Sequence, residues 1–94
     1  MLFIGVAYFK ETSQRRHAEL KAAFTDHLSQ PLNPRIKLAG AILDDAGVQS
    51  GMFMLLETDS IETARAYLEA DPYKMNALYE SADTKLVRLE VGHL

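Results

Sequence analysis

The sequence predicts an α+β domain with elements in the order β-α-β-β-α-β and one extra helical turn before the last strand. Three observations carry that expectation. Leu2–Phe9 and Met52–Leu56 are apolar on both alternating faces, as in central strands covered on two sides. Two stretches, Gln14–Leu28 and Ile61–Glu69, instead repeat their apolar residues with helical period. Finally, Pro72 keeps Asp71 out of the α region, so the second helix stops near Ala70 and a new turn opens at the proline.

Ninety-four residues make a single domain with no room for a second core. A chain this short buries roughly 60–65% of its unfolded surface, so a partner copy would help it. The net charge is −3, with acidic and basic residues interspersed, and no basic stripe exists to neutralise phosphates; nucleic acid is therefore excluded as a partner. The absence of cysteine removes disulfides, thiolate zinc sites and thiol nucleophiles together. The apolar run at the start lacks a basic leader and is too short to span a bilayer, so no membrane role and a cytoplasmic location are expected.

Leu2–Phe9 is the first strand, and Thr12 or Ser13 then caps the first helix. In that helix, His17, Leu20, Phe24 and Leu28 fall within a sector of about 80°, which turns His17 toward the sheet. Gln30-Pro31-Leu32-Asn33-Pro34 breaks the chain into a loop. Ile36–Leu43 is the second strand, with Gly40 inside it marking a bulge or a close approach of another group. Asp44-Asp45-Ala46-Gly47 turns the chain into the third strand, and the two strands form an antiparallel hairpin.

Asp59 and Glu62 fit a capping box for the helix from about Ser60 to Glu69, with Ile61, Ala64 and Leu68 inward. Asp71 is placed to cap the short helix that starts at Pro72. Lys85–Val91 alternates as a fourth strand with Val87, Leu89 and Val91 on one face, at an edge or a wet rim. Two helices cover only one face of a four-stranded sheet. The apolar residues left on the other face predict a homodimer packed through the open sheet face.

His17 and Asp71 are the candidates for chemistry. His17 is either a core-edge histidine satisfied by a backbone carbonyl or a general acid or base, since the unperturbed pKa of roughly 6.5 suits proton transfer near neutrality. Antiparallel helices would bring the start of the first to the end of the second, where Asp71 is a cap, an orienting partner for the imidazole, or both. Tyr73 either donates a hydrogen bond to a ligand or packs as an aromatic anchor. Arg15 and Arg16 bind an anionic substrate or form the wet face of their helix. Asp44 and Asp45 lack metal-site spacing to His17, so no metal is expected. His27, near a helix C-terminus, reads as structural, His93 as solvated, and Met52 and Met54 as core. No phosphate loop or nucleophile elbow is present.

The chain resembles the YciI-like (YCII-related) family. The matching features are His17-Ala18-Glu19-Leu20, Ala39-Gly40, the acidic turn Asp44-Asp45-Ala46-Gly47 and Gly51. Ser60-Ile61-Glu62-Thr63-Ala64 and Asp71-Pro72-Tyr73 complete them, the last being the most specific. The resemblance implies a ferredoxin-like βαββαβ fold of the dimeric α+β barrel type, with a His–Asp dyad made by His17 and Asp71. It also implies proton chemistry on small oxygenated rings without a cofactor, of the kind done by a dehydrochlorinase or a muconolactone isomerase. Tyr73, Gly40 and Arg16 are the substrate-binding candidates beside the dyad. Gln14 and Ala41 stand where relatives often carry arginine and proline, so an arginine clamp at 14 is not carried over.

Two functions follow as expectations. One is a cofactor-independent lyase or isomerase in which His17 moves a proton on a small-molecule substrate and Asp71 orients it. The alternative is a non-catalytic module that binds a small ligand or a protein in the barrel cleft. A cofactorless monooxygenase is a third reading, separable by oxygen consumption. An acylphosphatase is ruled out for want of a phosphate loop after the first strand.

Overall fold

The computed structural model describes residues 1–29 and 33–94, with Gln14 and Arg15 described by their backbone alone; the Gln30-Pro31-Leu32 part of the expected loop lies outside the described residues. Strands β1 (Leu2–Phe9), β2 (Arg35–Leu43), β3 (Gln49–Glu57) and β4 (Tyr79–Val87) form one antiparallel sheet in the order β2-β3-β1-β4. Helices α1 (Gln14–Glu19) and α2 (Lys21–Ser29) connect β1 to β2, and α3 (Ile61–Glu69) and α4 (Pro72–Met75) connect β3 to β4. This is the ferredoxin-like βαββαβ arrangement with a short extra helix before the last strand. The strand order explains the apolar pattern: β1 and β3, the doubly apolar strands, are the two central ones.

One face of the sheet carries Phe3, Ala7, Met52, Met54 and Leu56, which pack with Ala64 and Tyr67 of α3. A second group, Phe9, Tyr73 and Leu78, closes the end of that layer against Leu20 and Phe24. The opposite face holds Ile4, Val6, Phe53 and Leu55 in register across β1 and β3. Among the described residues no helix packs its core side chains on it, and Tyr8 and Leu38 on it are 45% and 51% exposed. Where β1 and β3 cross at Tyr8 and Gly51, a Cβ on Gly51 would stand 2.2 Å from the Ala7 carbonyl oxygen, so only glycine fits.

Three local expectations are corrected. The first helix is interrupted at Leu20, whose N–H is shared between the carbonyls of Arg16 and His17, although the half-buried stripe His17, Leu20, Phe24 and Leu28 holds across the break. The cap of α3 is Ser60, whose hydroxyl accepts from the Thr63 N–H at 3.2 Å; the chain enters the helix one residue later than an Asp59 capping box requires. The fourth strand runs over Tyr79–Val87 and not Lys85–Val91, because its register is set by pairing with β1 from Leu2 to Phe9. Leu89 and Val91 lie beyond it, exposed. β4 is an edge strand. No helix of the described residues is long and apolar enough to cross a membrane.

Candidate active site

Asp71 is built by the turn that ends α3. The helix closes at Ala70, Asp71 takes an extended conformation ahead of Pro72, and its Oδ1 accepts the Tyr73 N–H at 2.8 Å. Its other oxygen, Oδ2, accepts the hydroxyl of Tyr79 in a very short hydrogen bond. Asp71 is fully buried, at 0% exposure. Burial raises its carboxyl above the ordinary value of 3.8, opposed in turn by the Tyr79 hydroxyl, the Tyr73 N–H and the charge of His27. The same burial raises Tyr79 and Tyr73, reinforced at both by the Asp71 charge. The pair is therefore a carboxyl group and a phenol that both hold their protons more tightly than in water.

His17 enters the same cluster from α1. Its imidazole stacks on Phe9 with ring centroids 4.9 Å apart, and Phe9 lies nearly parallel to Tyr79 at 5.6 Å. Tyr73 stands edge-on to Phe9, His17 and Tyr79, and its own ring stacks on Phe24 at 4.3 Å. His17 Nε2 is 3.0 Å from Gln49 Oε1. The start of the first helical segment thus meets the end of the second, as antiparallel helices allow, and Arg16 also donates to Asn76 Oδ1 at 3.3 Å. His17 and Asp71 share one aromatic cluster and are linked through Phe9 and Tyr79. The bonds of Asp71 run to Tyr73 and Tyr79, and that of His17 Nε2 runs to Gln49.

Three cavities border this cluster among the described residues, the third of about 520 Å³ at Phe9, Lys10, Glu11, Ser50 and Glu80. One, of about 170 Å³, lies between α3 and β4 and is lined by Asp71, Tyr79, Arg65, Lys74 and Thr84 among others. The second, of about 210 Å³, lies between α2 and the β2–β3 hairpin and includes Gln49, Gly40, Phe24 and Tyr73. Gly40 faces Phe53 so closely that a Cβ would stand 2.7 Å from its ring. Of the sequence candidates, Tyr73 and Gly40 therefore line a cavity, while Arg16 is exposed beside α4.

The remaining candidates have local tasks. His27 Nε2 bonds the Tyr67 carbonyl at 3.1 Å, the Tyr67 hydroxyl donates to the His27 carbonyl at 2.9 Å, and the two rings stack, so His27 clamps α2 to α3. Asp44 Oδ1 accepts from the N–H groups of Ala46 and Val48 and shapes the hairpin turn. Among the described residues no three His, Cys, Asp or Glu side chains converge as metal ligands would. Sequence reasoning missed Gln49 and Tyr79. Nothing local distinguishes a glutamine at a strand entry, whereas Tyr79 would have been found by starting β4 straight after α4.

Solved structures similar to this chain have the same fold. 5-Chloro-2-hydroxyhydroquinone dehydrochlorinase from Burkholderia phenoliruptrix, in complex with 2,5-dihydroxybenzoquinone, is 22% identical with a TM-score of 0.83, and the match covers 94% of each chain. A NIPSNAP domain protein from Burkholderia xenovorans is 16% identical over 99% of both chains, with a TM-score of 0.54. SnoaB from Streptomyces nogalater, a cofactor-independent oxygenase, is 13% identical over 97% of this chain and 93% of its own, with a TM-score of 0.55. No curated protein matches the sequence. The YCII-related domain matches residues 1–87, a span that begins ahead of β1, takes in His17 and the Asp71-Pro72-Tyr73 turn, and ends with the last residue of β4; this chain belongs to the YCII-related family.

Proposed function

We propose that this chain is a cofactor-independent enzyme, a lyase or isomerase that moves a proton on a small oxygenated substrate, ring-containing ones included. The observation that carries the reading is the half-buried His17 imidazole, stacked on Phe9 in the cluster that also holds Asp71 and bonded to a residue that lines a cavity. An imidazole is the side chain best suited to accept and return a proton near neutral pH. Cavities of about 170 and 210 Å³ suit a single ring, since about 150 Å³ is enough for benzene. The similarity to a dehydrochlorinase held with a dihydroxybenzoquinone supports a hydroxylated ring as the substrate class.

In this reading His17 takes a proton from the substrate; an isomerase returns it at another atom, and a lyase lets a leaving group depart. Asp71 acts as the orienting group of the dyad, holding Tyr73 by its N–H and Tyr79 by its hydroxyl. Tyr73 and Gly40 shape the substrate's cavity, and Arg16 stands at the surface to meet an anionic group. A second copy packed on the open sheet face completes the dimeric α+β barrel, which the exposure of Tyr8 and Leu38 supports.

The test is a screen of hydroxylated and chlorinated hydroquinones and of enol lactones, followed by absorbance and by oxygen consumption. With a substrate found, His17→Ala and His17→Gln should lose about 10²–10⁴-fold in kcat with an unchanged far-ultraviolet spectrum. Full turnover per folded molecule in His17→Ala would remove the catalytic role. The second reading, a binding module without turnover, is favoured by one observation: both oxygens of Asp71 are engaged within the fold. It predicts calorimetric binding of the same ligands with no chemical change in them.

A further inference from the structure

The cavity of about 170 Å³ between α3 and β4 has a polar end built by Asp71 and Tyr79. Asp71 is 0% exposed and meets no ligand itself, whereas Tyr79 is only half-buried, so its phenol is the group a ligand would touch. A phenol has one hydrogen to give and an oxygen that accepts. A carboxylate only accepts, so ionised Asp71 takes the Tyr79 hydrogen and leaves the cavity a bare phenol oxygen. A protonated Asp71 reverses this bond. Its Oδ1 is committed to the Tyr73 N–H, so the proton sits on Oδ2 and is donated to Tyr79. The Tyr79 hydrogen is then released toward the cavity. Burial raises the Asp71 carboxyl above its ordinary value and so widens the pH range of this second state.

The rim of the same cavity carries an excess of positive charge. Arg65 of α3 and Lys74 of α4 line it, exposed, and neither makes an ion pair among the described residues. Two carboxylates, Glu69 and Asp83, also line it. Asp83 is paired with Lys85 at 3.5 Å and accepts the Thr84 N–H at 2.9 Å, which leaves Glu69 alone against two cations. The walls supplied by β1 and β3 are uncharged: Gly5, Val6, Ala7 and Met52. The space suits one ring, since about 150 Å³ is enough for benzene.

We propose that this cavity binds a small anion carried on a single ring, whose carboxylate or phenolate oxygen accepts the Tyr79 hydroxyl while Arg65 and Lys74 offset its charge. Asp71 sets the affinity from behind. Neutral, it makes Tyr79 a donor; ionised, it withdraws that hydrogen and adds a like charge. The inference deepens the proposed function and rests on that reading for the ring; the anion-binding end rests on the geometry alone.

Calorimetry with benzoate tests this, with benzyl alcohol as the same ring without the charge. Benzoate stays ionised between about pH 5.5 and about pH 8. Its affinity should rise several-fold on acidification across that range, and that of benzyl alcohol should not. Other charged or titratable groups face the pair: Arg65, Glu69, Lys74 and Asp83 around the cavity, Tyr67, Tyr73 and His27 around Asp71, and His17 behind Phe9. Asp71→Asn keeps all of them, so any slope they contribute remains in that variant. Its amide oxygen stays on the Tyr73 N–H, and its nitrogen donates permanently to Tyr79. Asp71→Asn should therefore bind benzoate at pH 8 about tenfold or more tighter than the parent, with most of the pH slope gone. Tyr79→Phe should lose the gain on acidification. Arg65→Ala and Lys74→Ala, both at exposed positions, should each weaken benzoate several-fold in a folded protein. A parent that binds no benzoate at pH 5.5 overturns the proposal, and so does an Asp71→Asn protein that keeps the full slope or binds no tighter at pH 8. Neither result needs Tyr79→Phe to fold. Benzoate binding as described with no turnover in the substrate screen would sink the enzyme reading alone; turnover with no benzoate binding would sink this inference alone.

Discussion

Replacing Asp71 with alanine should be among the most damaging single changes in this domain. Asp71 is 0% exposed, and its two oxygens satisfy the Tyr73 N–H at 2.8 Å and the Tyr79 hydroxyl. Losing the helix cap costs about 1 kcal/mol. Leaving the part-buried Tyr79 hydroxyl without its acceptor costs about 1–3 kcal/mol more. The total of about 2–4 kcal/mol is a large share of the roughly 5–15 kcal/mol that holds a domain together. For a domain of this length it lowers Tm by about 8–30 °C. Asp71→Asn keeps an oxygen for the cap and an amide that can donate to Tyr79, so its loss should stay within about 1 kcal/mol. A cycle of Asp71→Ala with Tyr79→Phe should show coupling of about 1 kcal/mol or more. The pH dependence has a definite sign. Burial raises the folded-state pKa of Asp71 above 3.8, so its contribution is fully present below that value and is lost as pH rises through the folded-state pKa. The unaltered protein should therefore gain stability relative to Asp71→Asn on acidification from neutral pH toward 4. Urea melts at a fixed protomer concentration read both effects. An Asp71→Ala protein within about 0.5 kcal/mol of the parent, uncoupled from Tyr79, would refute the reasoning, and so would a gap to Asp71→Asn that moves the other way.

Gly51→Ala should destabilise the fold by about 1–3 kcal/mol, because the new methyl group meets backbone at 2.2 Å and the two central strands must part; thermal melts check this. Tyr67→Phe removes the 2.9 Å bond to the His27 carbonyl and should cost about 1 kcal/mol. Burial, with the Asp71 charge second, pushes the Tyr67 phenol up to about 12, so the same variant should lose a late component from an alkaline absorbance titration. Tyr8→Lys combined with Leu38→Lys on the open sheet face should convert a dimer to monomer in light scattering. A parent protein that is already monomeric would end the dimer proposal.

Most of the fold was legible because its signals are local. Doubly apolar β1 and β3 announced the central pair, and Asp71-Pro72 announced both the end of α3 and the start of α4. What failed was also informative. The alternation of Val87, Leu89 and Val91 imitates a strand, but β1 offers partners only as far as Leu2, which pairs with Val87. A strand ends where its neighbour ends, and a period in one segment does not contain that fact. The choice of Ser60 over Asp59 as the cap has the same cause: both can cap, and the path of the chain out of β3 selects one.

The places of the candidate residues were legible and their bonds were not. The helical stripe turned His17 inward and the proline fixed Asp71, so both reached one cluster by rules that act within a few residues. Their partners come from elsewhere. Gln49 meets His17 across 32 positions, and Tyr79 reaches Asp71 because a register shift between Tyr8 and Phe9 sets Phe9 opposite Tyr79. Such a shift leaves no mark in residue spacing, yet it determines which phenol holds the carboxyl group. Two polar residues on a common cluster are thus a weaker statement than two residues in contact. The contact that His17 makes with Gln49 is set by the strand positions that supply Gln49 and Gly51, as much as by the helix that carries the imidazole.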